Sequence, residues 1–113
     1  MWDDSNDKIF DILDTVLKKE QTEFPLVCPL CGGKHAHIYM YRWKERQNKG
    51  AVWVWCSKCK VCSHGTIVIP KWWKNNIDIE LDKLGSHPDY LENIKADVDK
   101  YLSKLLKAQQ VSY

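Results

Sequence analysis

The sequence predicts an α+β fold, in which a three-stranded antiparallel sheet is flanked by an N-terminal and a C-terminal helix. Two stretches in the middle of the chain alternate in side-chain character at the period of a strand. Stretches near both ends repeat apolar residues at helical spacing. The length of 113 residues, of which 44% are hydrophobic, is that of a single folded domain over residues 1–113.

The first predicted element is an amphipathic helix at about residues 6–20. One face of it carries the apolar residues Ile9, Ile12, Leu13, Val16 and Leu17. Acidic residues and a serine crowd its start, where side-chain oxygens can cap free amides and negative charge suits the helix dipole. Phe24 ends this segment because a residue before proline is pushed toward extended geometry.

The middle segment, about residues 27–70, is predicted to form the sheet. The first strand is the stretch HAHIYMYRW, residues 35–43, and the second is GAVWVWC, residues 50–56. A charged segment with turn residues separates the two strands. The short β-branched run GTIVIP, residues 65–70, predicts the third strand.

The last predicted element is a helix at about residues 86–109. Ser86 can cap its start, Pro88 lies in the tolerant first turn, and Asp89 stands three residues after the cap. Its apolar stripe consists of Leu91, Ile94, Val98, Tyr101 and Leu105. The preceding stretch, residues 75–85, is compatible with either a short helix or irregular chain.

Five cysteines in paired spacing indicate a metal site. Cys28 and Cys31 form one Cys-x-x-Cys pair, whose thiolates can reach one ion when the chain turns tightly between them. Either Cys56 with Cys59 or Cys59 with Cys62 supplies the second pair. We favour Cys56 with Cys59 because Cys56 directly follows a strand, as Cys28 follows an extended stretch. The hairpin brings this pair beside the first, which predicts one structural Zn²⁺ on Cys28, Cys31, Cys56 and Cys59.

Cys62 and His64 remain outside this predicted set. Either residue could act as an alternative ligand, and His64 could also hydrogen-bond a zinc-bound sulfur. For Cys62 the simpler expectation is a packed thiol with no chemical role. His35 and His37 flank the first cysteine pair, and we expect each to be an ordinary polar strand position.

The sequences CPLCGG and WCSKC, joined by the predicted hairpin, resemble the zinc-ribbon superfamily over about residues 27–70. This resemblance implies a ribbon fold with a structural zinc. Its implication for function is broad, because zinc ribbons occur in transcription factors, primases, ribosomal proteins and adaptors. The ribbons of DNA primases and phage primase-helicases are nearest in pattern, although no primase catalytic segment follows. We expect a small bacterial or phage protein.

The motifs predict that the protein is not an enzyme. A catalytic zinc keeps one position open for water, whereas four thiolates leave none. The CPLC pair lacks the His-x-Glu partner of the zinc deaminases. No GxSxG, P-loop or HExxH motif occurs in the chain. We therefore expect a binding module.

The composition and net charge of the chain indicate where the protein resides and which kinds of partner it binds. The acidic opening MWDDSND does not resemble an export signal, and no apolar run approaches the roughly 20 residues of a membrane span. We therefore expect a cytoplasmic protein with no membrane contact, where reduced thiols favour metal over disulfides. The net charge is +2, and zinc on four thiolates would bring it to about zero. The total charge thus predicts no general attraction to nucleic acid.

Two classes of partner are predicted, of which we favour another protein. An adaptor, inhibitor or immunity-type protein would use surface contacts that we assign to Arg42, Trp43, Arg46, Trp72 and Trp73. The alternative is nucleic acid, bound by the hairpin from Tyr39 to Trp55, where aromatic rings lie among cations. The acidic helices would repel phosphate, which favours protein. The two classes differ in whether the hairpin rings are exposed in a row or packed under the helices.

Overall fold

The predicted sheet is present, and helical segments precede and follow it in the chain. The computed structural model describes residues 2–4, 6–18, 23–45, 48–85 and 87–110. Its elements are a 3-10 helix at Asp7–Phe10, α1 at Asp11–Leu17, β1 at Ala36–Arg42, β2 at Lys49–Cys56, β3 at Val61–Val68, a 3-10 helix at Leu81–Lys83, α2 at Asp89–Asn93 and α3 at Lys95–Gln110. The predicted α+β class is confirmed. Within the described residues, no helix has both the length and the apolar character that a membrane crossing requires.

The strands pair in the order β1-β2-β3, and both neighbouring pairs are antiparallel. The third strand begins at Val61 and not at the predicted Gly65. The reason is that only residues 57–60 separate β2 from β3, so pairing resumes directly after this turn. The added residues include Cys62, which lies opposite Trp55 in the sheet.

The N-terminal helical segment is shorter and less regular than the predicted helix over residues 6–20. It begins as the 3-10 helix Asp7–Phe10, whose start is capped by the Asn6 side chain accepting the Lys8 N–H at 3.0 Å. It continues as α1 to Leu17, and residues 19 and 20 lie outside the described part of the chain. The predicted apolar face is buried through Ile9, Ile12, Leu13 and Val16.

The predicted C-terminal helix is two helices, α2 and α3, separated at Ile94. Ile94 leaves helical geometry with φ −115° and ψ 23°. Periodicity could not reveal this break, because a one-residue interruption barely shifts the apolar stripe. The predicted cap Ser86 lies outside the described residues, and the N-cap position is Pro88, which makes no side-chain capping bond. Asp89 instead accepts the Trp2 indole N–H at 2.7 Å.

The sheet has two faces of different chemistry because side chains alternate along each strand. The aliphatic face carries Ala36, Ile38, Met40, Val52 and Val54, and the aromatic face carries His37, Tyr39, Trp53 and Trp55. All nine of these residues are buried. The N-terminal helical segment covers the aliphatic face, where the Phe10 ring lies beside Gly65, the residue paired with Val52.

The segment that follows β3 covers the aromatic face. The Trp73 ring meets Tyr39 edge-on at a centroid distance of 5.3 Å and meets Tyr101 of α3 at 5.9 Å. The Trp53 indole N–H donates to the Gly85 carbonyl at 2.7 Å. Trp53 and Trp55 are therefore core residues and do not form an exposed row.

Candidate metal centre and the polar chain behind it

Four cysteine sulfurs come together at one end of the sheet. The Sγ atoms of Cys28, Cys31, Cys56 and Cys59 all lie within 4.8 Å of one another. The Cys28–Cys59 and Cys31–Cys56 Sγ pairs are each 3.9 Å apart. Sulfur ligands at about 2.3 Å from a tetrahedral ion lie about 3.8 Å from each other. These four sulfurs could therefore hold one metal ion.

The first cysteine pair lies in a tight turn closed by its own backbone. The Cys28 N–H donates to the Gly33 carbonyl, and the Gly32 N–H donates to the Cys28 carbonyl, each at 2.9 Å. The Leu30 N–H donates to Cys28 Sγ at 3.3 Å. Gly32 has a φ of 73°, a left-handed conformation that glycine adopts without a steric penalty. The CPLCGG sequence thus closes the turn and directs an amide at a sulfur.

The second cysteine pair lies in the turn between β2 and β3. Cys56 ends β2, and its carbonyl accepts the Lys60 N–H at 3.0 Å, while the Cys59 N–H donates to Cys56 Sγ at 3.4 Å. Lys60 takes a φ of 59°, which is uncommon for a residue other than glycine. The Ser57 N–H donates to the His35 carbonyl at 2.9 Å and ties this turn to the start of β1. The two turns therefore present their sulfurs in a similar way.

Three of the four thiols have shifted pKa values, which differ in direction. A backbone hydrogen bond from Gly33 lowers the pKa of the exposed Cys31 to about 7. Desolvation raises the pKa of Cys56, and desolvation together with hydrogen bonds to the other thiols raises the pKa of Cys59 to about 12. Because the thiolate is the form that binds metal, an incoming cation must displace protons from these groups. Metal affinity is therefore expected to rise with pH.

Cys62 and His64 lie on β3, outside the four-sulfur cluster. Cys62 is buried, and its backbone N–H donates to the Asp3 carbonyl at 2.9 Å. Burial, with a smaller contribution from nearby carboxylates, raises the pKa of Cys62 to about 11, which makes it a packed and unreactive thiol. His64 is exposed. Among the described residues, the structure brings Cys59 together with Cys56 and not with Cys62.

The residues predicted as surface contacts have different environments. Arg46 lies outside the described residues. Trp73 is 0% exposed, so its assignment to a binding surface was wrong, because it is the member of the adjacent pair that points into the core. Trp72 packs edge-on against Trp73 at 6.3 Å and is half-buried, as is Trp43.

Arg42 ties the end of β1 to the chain after β3. Its Nη2 donates to the Pro70 carbonyl at 2.7 Å. The Asn75 side chain accepts the Arg42 backbone N–H at 2.8 Å and donates to its carbonyl at 2.9 Å. The Arg42 Nε atom is buried without a hydrogen-bond partner among the described residues. The guanidinium is thus largely committed to the fold.

A buried polar chain connects the second cysteine turn to α2 and α3. His37 is 2% exposed, whereas the sequence indicated only an ordinary polar strand position. Its Nδ1 lies 2.8 Å from Asp99 Oδ1, and its Nε2 lies 3.0 Å from Ser57 Oγ. Ser57 Oγ donates to Glu92 Oε1 at 2.6 Å. The period-2 alternation places His37 on the same face as Tyr39, but it does not indicate that this face is covered.

Hydrogen-bond counting assigns the protons along this chain. Burial raises the pKa of Glu92, but hydrogen bonds, first from Ser57 and then from Lys95, outweigh burial and lower it overall. With Glu92 ionised, the single Ser57 proton points to Glu92, so His37 Nε2 must donate to Ser57 Oγ. The opposite ring nitrogen, Nδ1, lies 2.8 Å from Asp99 Oδ1. His37 thereby links Asp99 to Ser57, and Ser57 in turn links it to Glu92.

The order Asp99, His37, Ser57 is similar to the Asp-His-Ser catalytic triad of a serine hydrolase, but the protons lie on different atoms. In those enzymes the serine hydroxyl donates to a neutral imidazole, which acts as a base. Here Glu92 takes that proton, and the His37 nitrogen that faces Ser57 donates to it and does not accept from it. The geometry does not present Ser57 as an activated nucleophile. The chain instead connects the cysteine turn to the C-terminal helices.

Comparisons with protein-family models, with curated proteins and with solved structures found no match for this chain. The four cysteines clustered on the three-stranded sheet are consistent with a zinc-binding knot.

Proposed function

We propose that the protein is a zinc-stabilised binding module without enzymatic activity, and that its partner is another protein. The observation that carries this proposal is the set of four cysteine sulfurs within 4.8 Å of one another. Four cysteines and no other ligand type are typical of structural zinc. Thiolates in a tetrahedral set select zinc or iron–sulfur chemistry, and Sγ separations of 3.9 Å are those expected around a single ion.

The absence of enzymatic activity is proposed on two grounds. A zinc ion held by four thiolates has no position left for water or substrate. Ser57, which is hydrogen-bonded to His37, gives its proton to Glu92. Because zinc thiolates persist in reducing surroundings, the proposal places the protein in the cytoplasm.

The covered aromatic face supports a protein partner over nucleic acid. Base stacking requires exposed rings, yet Tyr39, Trp53 and Trp55 are at most 7% exposed. The observation that still favours the nucleic-acid alternative is the tip of the hairpin, where half-buried Tyr41 and Trp43 lie with Lys44 and Glu45 around a cavity of about 210 Å³. This small aromatic corner has one cation and one acid, which gives a weak footprint for a nucleic-acid strand.

Metal content and partner class can be tested on the same purified protein. We expect one zinc per chain and four thiols protected from a thiol reagent by the metal. We also expect Cys62 to react slowly, because it is 1% exposed. Single-stranded DNA should show weak binding with a shallow salt dependence. Metal-free protein that melts cooperatively would overturn the zinc proposal, and tight, steeply salt-dependent DNA binding would overturn the protein partner.

A further inference from the structure

A groove of about 740 Å³ lies between α3 and the segment that precedes the first cysteine turn. Phe24 and Pro25 form one wall, and α3 forms the other. The buried His37 lines it together with Asp99. This volume lies within the range of about 300–1,000 Å³ typical of sites that take a ligand or a few side chains.

The groove carries an excess of positive charge. Four lysines line it, and Asp99 is the single acid among its lining residues. Lys95 is paired with Glu92 at 3.1 Å, but among the described residues no ion pair occurs for Lys100, Lys104 or Lys107. These three lysines lie at i, i+4 and i+7 on α3, so they form a row about 10 Å long on one helix face.

A second groove on α3 shows that this excess is local. It has a volume of about 410 Å³ and shares Lys100 and Lys104 with the first. Its lining also includes Asp78 and Asp97, so acids and lysines balance there. Of the two grooves, only the larger one therefore has more lysines than acids in its lining.

We propose that the larger groove binds an acidic peptide segment of the protein partner, with glutamate or aspartate residues on both sides of one large apolar residue. The carboxylates would meet the lysine row, and the apolar side chain would lie against Phe24, Pro25 and Ala96. This inference rests on the proposed function as a protein-binding module, and it names the chemistry of the partner.

A peptide suits the groove better than a nucleic-acid strand does. An apolar side chain of a peptide would pack against the apolar wall of the groove, whereas a phosphate backbone has no apolar group to place there. Asp99 would repel phosphate, but it has a carboxylate oxygen besides the one beside His37, which can accept a peptide N–H. The lysine row lies on one helix, and it is shorter than the positively charged groove that a protein uses to bind a nucleic-acid strand.

The test is an NMR titration of the zinc-loaded protein with the synthetic peptide EEEELEEEE. We expect shifts at Ala96, Ser103 and Lys104, which line the groove. The variant Lys100→Gln/Lys104→Gln/Lys107→Gln should bind about tenfold more weakly. The control Lys8→Gln/Lys44→Gln/Lys71→Gln removes the same charge from exposed positions elsewhere and should change the affinity less than about twofold.

Four results would overturn the proposal: no shifts at millimolar peptide, equal weakening in both triple variants, binding of EEEEGEEEE as tight as that of EEEELEEEE, or tighter binding of a twelve-nucleotide oligo-dT at the same residues. Because all six substituted lysines are exposed, the variants should keep the wild-type zinc content and circular dichroism. Peptide binding that maps to Trp43 or Trp72 would reject the groove while leaving the binding-module function standing. Loss of zinc from the wild-type protein would instead reject that function.

Discussion

The two faces of the sheet are held by different kinds of interaction. The aliphatic face is closed against the N-terminal helix by side chains without polar atoms, such as Ile12 and Ile38. On the aromatic face, Trp53, Trp55 and Trp73 each donate an indole N–H to a defined acceptor. Burial of apolar area is non-directional, whereas a hydrogen bond fixes distance and direction. The N-terminal helix is thus held mainly by buried area, and the C-terminal segment is held in one specific position.

Both faces meet at the end of the sheet where the cysteine turns lie. Cys56 pairs with Ala36 in the sheet, and the Leu26 N–H donates to the Ala36 carbonyl at 2.7 Å just before the first turn. Cys28 and Cys56 are fully buried. A metal ion at this end would therefore stabilise the base on which both faces are built, and each face can be perturbed separately only while the metal stays bound.

The largest effect is expected from Cys31→Ser, which should abolish the difference between the faces by unfolding both. Cys31 is exposed, so the substitution removes little packing and acts through the metal. Zinc binding contributes about 10–16 kcal/mol in comparable modules, which is comparable to or larger than the net stability of about 5–15 kcal/mol of a typical domain. The measurements are zinc content and thermal melting followed by circular dichroism.

Cys62→Ser is the matched control for this prediction. Cys62 is buried but lies outside the four-sulfur cluster, so we expect the variant to keep its zinc and to melt cooperatively at a lower temperature. A Cys31→Ser protein that melts like the wild type would show that the metal does not hold the fold.

A smaller effect, confined to one face, is expected from Ile38→Ala. Ile38 is 0% exposed on the aliphatic face, and a cavity at such a position costs about 2–5 kcal/mol. Ile38→Val should cost about 0.5–1.5 kcal/mol by the same mechanism. Urea unfolding gives these values, and the near-ultraviolet circular dichroism of the tryptophans should stay native-like before the transition. Collapse of that spectrum with zinc still bound would show that the faces are not independent.

The same contrast explains how far the sequence could predict the fold. Period-2 alternation is a local property, and it predicted the first two strands of the sheet. The cysteine pairs are also local, and they predicted the four-sulfur cluster through the hairpin that joins them. Which helix covers which face is set by packing between distant parts of the chain, so no local pattern carried it.

For the same reason, local sequence patterns could not predict the hydrogen-bonded polar chain behind the metal centre. His37 and its partner Asp99 are 62 positions apart, and Ser57 and Glu92 are 35 positions apart. A histidine in an alternating strand looks the same whether its face is solvated or covered. The identity of the buried member of the adjacent tryptophan pair, Trp73, likewise depended on the long-range contact with Tyr39.

An effect smaller than that of Ile38→Ala is expected on the aromatic face, from Glu92→Gln. Glutamine keeps the size and an acceptor oxygen but removes the charge to which Ser57 and Lys95 donate. We expect a loss of about 1–2 kcal/mol at neutral pH, measured by urea unfolding with zinc bound. Glu45→Gln, at an exposed position, is the control and should change stability by less than about 0.5 kcal/mol.

The pH dependence of this loss tests the proton assignment. Folding lowers the pKa of Glu92, so the charged carboxylate stabilises the folded protein. This stabilisation is fully present above the ordinary glutamate pKa, and it is lost as the pH falls through the pKa of Glu92 in the folded protein. The difference between wild type and Glu92→Gln should stay constant from neutral pH to about pH 5 and shrink below it. Zinc must be measured at each pH, since acid also releases metal from thiolates. A difference that widens on acidification would mean that Glu92 is protonated in the folded protein and that Ser57 donates to His37 instead.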